Sequence, residues 1–350
     1  MNFASDNWAG VATEVIEAIT AESRKVAPAY GRDALTALVE AEFSRIFERE
    51  VAVFFVATGT AANALSLAAL SRPGGVIFCH EAAHIIAEEC GAPEFATGGA
   101  KIIGLPGRQA KLTGAVLTEA LARFPVGTIR YGVPVVASIS QTTEFGGVYR
   151  AAEIADVGAA AKKGGIALHM DGARFANAVA ALDASPADLT WRAGVDVMSF
   201  GGTKNGAMAA EAVVLFNPAT AANMPYIRQR SGQLLSKARL MAAQFAALFA
   251  DDLWLRLASH ANEMAAHLGE AIARSPGARL AFPVEANEVF AILPKDAGER
   301  AMKAGAAFYE WPAEALASDQ RPGKGAALYR LVTSFRTEAR EIEQFAALLR

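Results

Sequence analysis

The chain has 350 residues, of which 53% are hydrophobic and 20% charged, with a net charge of -3. That balance describes a compact globular protein with ample core and excludes an intrinsically disordered one. The near-neutral charge, without a block of one sign, gives no support for nucleic-acid or anionic-membrane binding, and no apolar run reaches the roughly 18 residues that span a bilayer.

The start, Met1 to Trp8, lacks the basic end and apolar core of a secretory signal. Two cysteines, Cys79 and Cys90, argue against a disulfide framework and fit a reducing compartment. A soluble, cytoplasmic enzyme is the expectation.

Residues 11–50 read as helix, with apolar positions such as Val15, Ile16 and Ile19, then Leu35, Leu38, Val39 and Phe43, at three- and four-residue steps around the break at residues 27–31. Residues 51–56 form a short β-rich run that ends at Thr58-Gly59-Thr60, and an Ala/Leu helix follows from Ala61 to Leu70. Further apolar strands are expected at 76–79, 101–104, 132–139, 166–170 and 195–200, with helical segments such as 151–163 between them. Short apolar strands alternating with helices predict an α/β fold, a mostly parallel sheet flanked by helices. Ligands in that architecture bind beyond the carboxyl ends of the strands.

After about Asp251 the pattern changes to a helix over 254–274, strand segments at 279–283, 287–293 and 329–335, and a closing amphipathic helix. This suits a smaller C-terminal α+β domain. The predicted division is a large domain over 1–252, with an N-terminal arm over 1–14, and a small domain over 253–350.

Four stretches carry chemistry. Thr58-Gly59-Thr60, between a strand and a helix, offers backbone amides, close approach at a glycine and a hydroxyl to a phosphate; taken alone it reads equally as a helix cap. His169-Met-Asp171-Gly-Ala-Arg174 closes a strand. His169 and Asp171 share a face there, and Asp171 is well placed to pair with a cationic ring nitrogen. Taken alone they read as a satisfied core histidine and a turn aspartate.

Cys79-His80-Glu81-Ala-Ala-His84 has the spacing of a zinc-binding helix, but His80 and Glu81 fall at a strand end, so a zinc hydrolase on His80 and His84 is only an alternative. The fourth stretch, Ser199 to Gly206, delivers Lys204 on a glycine-flanked loop, which alone reads as a solvated lysine. Together, a phosphate cradle, a strand-end aspartate and this lysine match pyridoxal 5′-phosphate, which needs an anion site, a carboxylate for its ring nitrogen and a lysine to hold it covalently. His84 can pack on the ring face.

These stretches resemble those of the aspartate-aminotransferase-type (fold type I) superfamily and, within it, the threonine aldolases. The resemblance also covers Ser5-Asp6-Asn7, residues 29–33, Thr58 to Asn63, Ala83-His84, residues 90–94 and residues 330–333. It looks closest to the low-specificity L-threonine and phenylserine aldolase branch. The resemblance implies a lyase that cleaves the Cα–Cβ bond of L-β-hydroxy-α-amino acids to glycine and an aldehyde, with β-elimination or transamination on the same cofactor as alternatives. A cofactor-binding protein without turnover is a further alternative.

It also implies roles: Lys204 attaches the cofactor, Asp171 pairs with its nitrogen, His84 stacks on its ring, and Gly59 and Thr60 hold its phosphate. Ser5, Arg174 and Arg330 would receive the substrate carboxylate, with Arg174 also near the cofactor. Lys237 and Tyr30 would reach the phosphate or an adjacent subunit's site. No metal is implied, and a homodimer or homotetramer with sites at subunit interfaces is. One departure stands out: Thr143 occupies the position where many relatives carry a second histidine, so either His84, through a water, takes the proton of the substrate hydroxyl, or that assignment is wrong.

Overall fold

The computed structural model describes residues 1–313 and 316–350. Its first sheet contains β1 (Ala52–Val56), β2 (Gly75–His80), β3 (Lys101–Leu105), β4 (Val133–Ser140), β5 (Ala167–Gly172), β6 (Val197–Gly201) and β7 (Glu211–Leu215). Their order is β1-β7-β6-β5-β4-β2-β3. β7 is antiparallel to both neighbours, and the remaining pairs are parallel. The mostly parallel sheet is as expected; β7 was not.

Its direction has a simple cause. Residues 202–210 are too few for the helical crossover that a parallel return requires, so the chain doubles back beside β6. β2, β6 and β7 are buried along their whole length, as strands covered on both faces must be.

Side chains divide between the faces with the two-residue period of a strand. Leu168, Met170, Met198 and Phe200 enter a large core on one face, with Phe43, Phe245 and Phe249. Edge-to-face contacts run through that core, with Phe43 ring centroids 5.2 Å from Phe200 and 4.9 Å from Phe249. On the other face Val197 packs with Ala62 and Leu65 of the helix Gly59–Leu70. His169 and Asp171 therefore face that helix, which sets up the site.

The expected helical stretch at 11–50 is two helices, Thr13–Ser23 and Ala34–Ile46. Asp33 stops them merging: its Oδ1 accepts the Thr36 amide at 2.8 Å and caps the second helix. The chain leaves helix before β1 instead of continuing to residue 50.

The second sheet holds β8 (Arg279–Leu280), β9 (Glu288–Pro294), β10 (Tyr309–Trp311) and β11 (Ala326–Val332), all antiparallel in the order β10-β11-β9-β8. The expected strand at 279–283 shrinks to two residues, and that at 329–335 begins and ends three residues earlier. Helix Leu253–Ala273 serves both cores, through Trp254 and Ala258 at one end and Ala265 and Leu268 at the other. The first residues of the chain join the second sheet: Phe3 donates to Ala307 and accepts from Val332, both at 2.8 Å.

Candidate active site

A cavity of about 500 Å³ opens where β4, β5 and β6 end, and six of the expected residues line it: Gly59, Thr60, His84, Asp171, Arg174 and Lys204. The position obeys the rule for open α/β sheets.

Lys204 sits on a single helical turn, Thr203–Asn205, immediately after β6. The glycines before it are required by close packing. A Cβ on Gly201 would lie 2.5 Å from the Ala173 carbonyl, and one on Gly202 would lie 2.5 Å from that of Ala210. Burial lowers the Lys204 pKa and the Arg174 guanidinium lowers it further, while Asp6, Asp171 and Glu288 pull less strongly the other way. A larger share of neutral, nucleophilic amine results.

Asp171 is fixed by two donors, the Ala173 amide to Oδ1 at 3.0 Å and Asn63 Nδ2 to Oδ2 at 2.7 Å. The same Asn63 nitrogen donates to Glu89 Oε1 at 2.8 Å, and Glu89 Oε1 lies 2.9 Å from His84 Nδ1. The bond to Glu89 holds the His84 pKa above its ordinary value, and burial raises that of Glu89. His169 lies one layer below Asp171. Its Nδ1 meets Ser138 Oγ at 2.8 Å and its Nε2 meets Ser199 Oγ at 3.1 Å. Burial depresses it to about 4, so it is a neutral core histidine.

Thr58 caps the helix Gly59–Leu70, its hydroxyl accepting the Ala61 amide at 3.1 Å. The first-turn amides of Gly59 and Thr60 have no intrahelical acceptor. A Cβ built on Gly59 would meet no atom within 4 Å, so the space above this turn is open to an anion.

Arg174 lines the cavity with its guanidinium already engaged: Asp6 accepts from Nε at 2.7 Å and from Nη2 at 3.1 Å, and Glu288 lies 3.5 Å from Nη1. Burial would raise the Asp6 carboxyl, but Arg174, Lys204 and the Asn287 amide together hold it below the usual range. Arg330 is outside the cavity lining, 3.3 Å from the other oxygen of Glu288 and 4.9 Å from the centre of the Trp311 ring. Ser5 also lies outside it, its hydroxyl accepting the Asn7 amide at 3.1 Å. Lys237 and Tyr30 are exposed and outside the cavity lining, in one surface patch where the Tyr30 amide donates to the Ser236 carbonyl at 3.0 Å.

The alternative metal pair is taken apart by its hydrogen bonds. His80 ends β2, where its Nδ1 accepts the Ala82 amide at 3.0 Å and its Nε2 donates to the Gly107 carbonyl at 2.9 Å. No ring nitrogen is left for a metal shared with His84.

Sequence reasoning assigned no role to Asn63, Glu89, Glu144, Glu211 or Glu288. Acidic residues scattered through loops and strand ends carry no local signature; only the three-dimensional chain of hydrogen bonds joins them. Asn63 had a usable signal: a polar residue one turn into an apolar helix has to face a partner.

A family model described as Beta-eliminating lyase matches residues 2–295. The chain is 45% identical over 313 residues to a low specificity L-threonine aldolase of Pseudomonas aeruginosa, covering 89% of this chain and 90% of that one. It is 41% identical over 349 residues to a low specificity L-threonine aldolase of a Pseudomonas species, covering 99% and 96%. The fold superposes on a Leishmania major threonine aldolase with a TM-score of 0.91 at 29% identity, over 99% of this chain and 98% of that one. The chain belongs to the beta-eliminating lyase family and, within it, to the low specificity L-threonine aldolases.

Proposed function

We propose that the protein is a pyridoxal-phosphate-dependent aldehyde-lyase that cleaves L-β-hydroxy-α-amino acids, such as L-threonine, L-allo-threonine and L-phenylserine, to glycine and an aldehyde. The observation that carries this reading is the meeting of Lys204, Asp171 and the open helix turn at Gly59 in one cavity. The residues present fit the cofactor: an unengaged anion cradle, a carboxylate held only by neutral donors, and a lysine whose amine is partly desolvated.

Bound there, pyridoxal phosphate supplies an electron sink for the pair released when the Cα–Cβ bond breaks. Lys204 would attach it and then release it to the substrate amine. Asp171 would keep its ring nitrogen protonated, and the Gly59 and Thr60 amides would hold its phosphate. His84 would pack on its ring, kept in place by Glu89. Arg174 and Arg330, which now share Glu288, would receive the substrate carboxylate with Ser5; a guanidinium fork suits that anion.

The exposed patch of Tyr30 and Lys237 would serve the site of a second copy, which makes the assembly a homodimer or homotetramer. Among the described residues no helix is long and apolar enough to cross a membrane, and both cysteines are free, so we place the protein in the cytoplasm.

Product analysis tests the reading. Purified protein with the cofactor should convert L-threonine to equal amounts of glycine and acetaldehyde, and L-phenylserine to glycine and benzaldehyde. Pyruvate, ammonia or a keto acid as the main product would assign β-elimination or transamination instead.

A further inference from the structure

The loop after β4 presents a carboxyl for which the roles above have no use. Thr143 is fully buried, its hydroxyl accepting the Gly147 amide at 3.0 Å, so it serves the turn and not the substrate. Its neighbour Glu144 lines the cavity together with Lys204, His84 and Asp171. Oε1 of Glu144 accepts the Ser140 hydroxyl at 2.5 Å and the His84 amide at 2.9 Å. Oε2 is buried and has no partner among the described residues.

We propose that Oε2 of Glu144 takes the proton of the substrate β-hydroxyl in the cleavage step and returns it in the reverse direction, a role that rests on the aldolase reading above. As the O–H bond breaks, its proton goes to Oε2 and the oxygen's electron pair forms the aldehyde C=O. The Cα–Cβ pair stays with Cα, where the bound cofactor would supply the electron sink, and a proton added to that carbon yields glycine.

The surroundings suit this work. Two donors on one oxygen fix the carboxyl's direction and leave the other free, since a buried acceptor without a donor is costly unless something fills it. Burial, with Asp171 adding to it, raises the carboxyl to about 7 against the pull of the Ser140 and His84 donors, so it exchanges protons near neutrality.

The titratable groups around it are Asp171 on β5, His84 on the short helix after β2, Cys79 in β2 and Tyr149, with Arg174, Lys204 and Glu211 in the same cavity lining. Burial pushes the Cys79 thiol up to about 12 and the Tyr149 phenol far above its ordinary value, which removes both as bases. His84 is bonded through Nδ1 to Glu89, which raises its pKa, and its ring is given to the cofactor's face in the roles above.

Glu144→Gln keeps an acceptor for Ser140 and the His84 amide while removing the base. Cleavage of L-threonine should fall about 10²- to 10⁴-fold. Exchange of the glycine Cα proton in deuterium oxide, which involves no β-hydroxyl, should persist. Glu144→Asp, which keeps a carboxylate, should cleave faster than Glu144→Gln. In the apoprotein, carbon-13 NMR of glutamate carboxyls should show a group titrating near 7 that disappears in Glu144→Gln, a readout needing neither cofactor nor turnover.

Cleavage at the wild-type rate in Glu144→Gln, a parallel loss of cleavage and exchange, or an unchanged carboxyl titration would each overturn the proposal. Wild-type protein that releases no aldehyde would overturn the aldolase reading itself, and this role with it.

Discussion

Asn63 Nδ2 lies 2.7 Å from Asp171 Oδ2 and thereby joins the carboxylate at the end of β5 to the helix that opens the anion cradle. Because the same nitrogen reaches Glu89 Oε1 at 2.8 Å, one amide serves two buried acids that would otherwise repel each other. Among the described residues Asp171 is thus held by neutral donors only, which would leave it free to pair with a protonated ring nitrogen.

Asn63→Ala should therefore do more than remove two hydrogen bonds. Both acids lose a donor, and leaving a buried acceptor unsatisfied costs about 1–3 kcal/mol. Urea unfolding of the apoprotein should register that loss, and cofactor titration should show weaker binding. Unchanged stability together with unchanged cofactor affinity would contradict the shared-amide account.

Stability should depend on pH through Glu211. Burial raises its carboxyl from 4.5 to about 7, although the Thr203 amide, at 3.2 Å, favours the anion. Between those values the folded chain binds the proton and the unfolded chain does not. The stabilising contribution is complete below the unfolded value and is lost as pH rises through the folded one. At about 1.36 kcal/mol per unit the span corresponds to ~3 kcal/mol at most. Glu144 acts in the same direction, whereas His169, depressed to about 4, acts in the opposite one up to about pH 6.5, so the readout is the difference between proteins: relative to wild type, Glu211→Gln of the apoprotein should show a smaller loss of stability between about pH 5 and about pH 8. Equal slopes in wild type and variant would refute the assignment.

Gly201→Ala tests how tightly the lysine loop is set. Its Cβ would meet Ala173 backbone atoms at 2.5 to 2.8 Å, a clash that side-chain rotation cannot relieve. Overpacking of this kind costs about 1–3 kcal/mol. A lower Tm should accompany impaired cofactor attachment, because the strand end and Lys204 move together. A variant with wild-type Tm and wild-type cofactor content would show that the contact is not limiting.

Much of this arrangement was legible in the sequence, for identifiable reasons. Fully apolar runs separated by helical segments marked the parallel strands, and the two-residue period put His169 and Asp171 on one face. β7 escaped because Glu211 opens it and its direction depends on the length of a loop, not on its own pattern. The zinc-like spacing at His80 and His84 does not form one helical face, since β2 runs through His80 and fixes its ring nitrogens on backbone groups. Asn63, Glu89 and Glu144 stayed invisible because their meaning lies in partners many residues away. The place of Arg174 in the cavity was legible, whereas its engagement by Asp6 and Glu288 was not, because those acids lie more than a hundred residues from it in sequence.

The most direct test of the central claim is borohydride reduction of the purified protein loaded with pyridoxal phosphate, followed by peptide mapping. The account predicts a yellow protein that borohydride bleaches, with the cofactor mass fixed on Lys204, and a Lys204→Ala variant that retains no covalent label. Label on another lysine, or equal labelling of the variant, would contradict it.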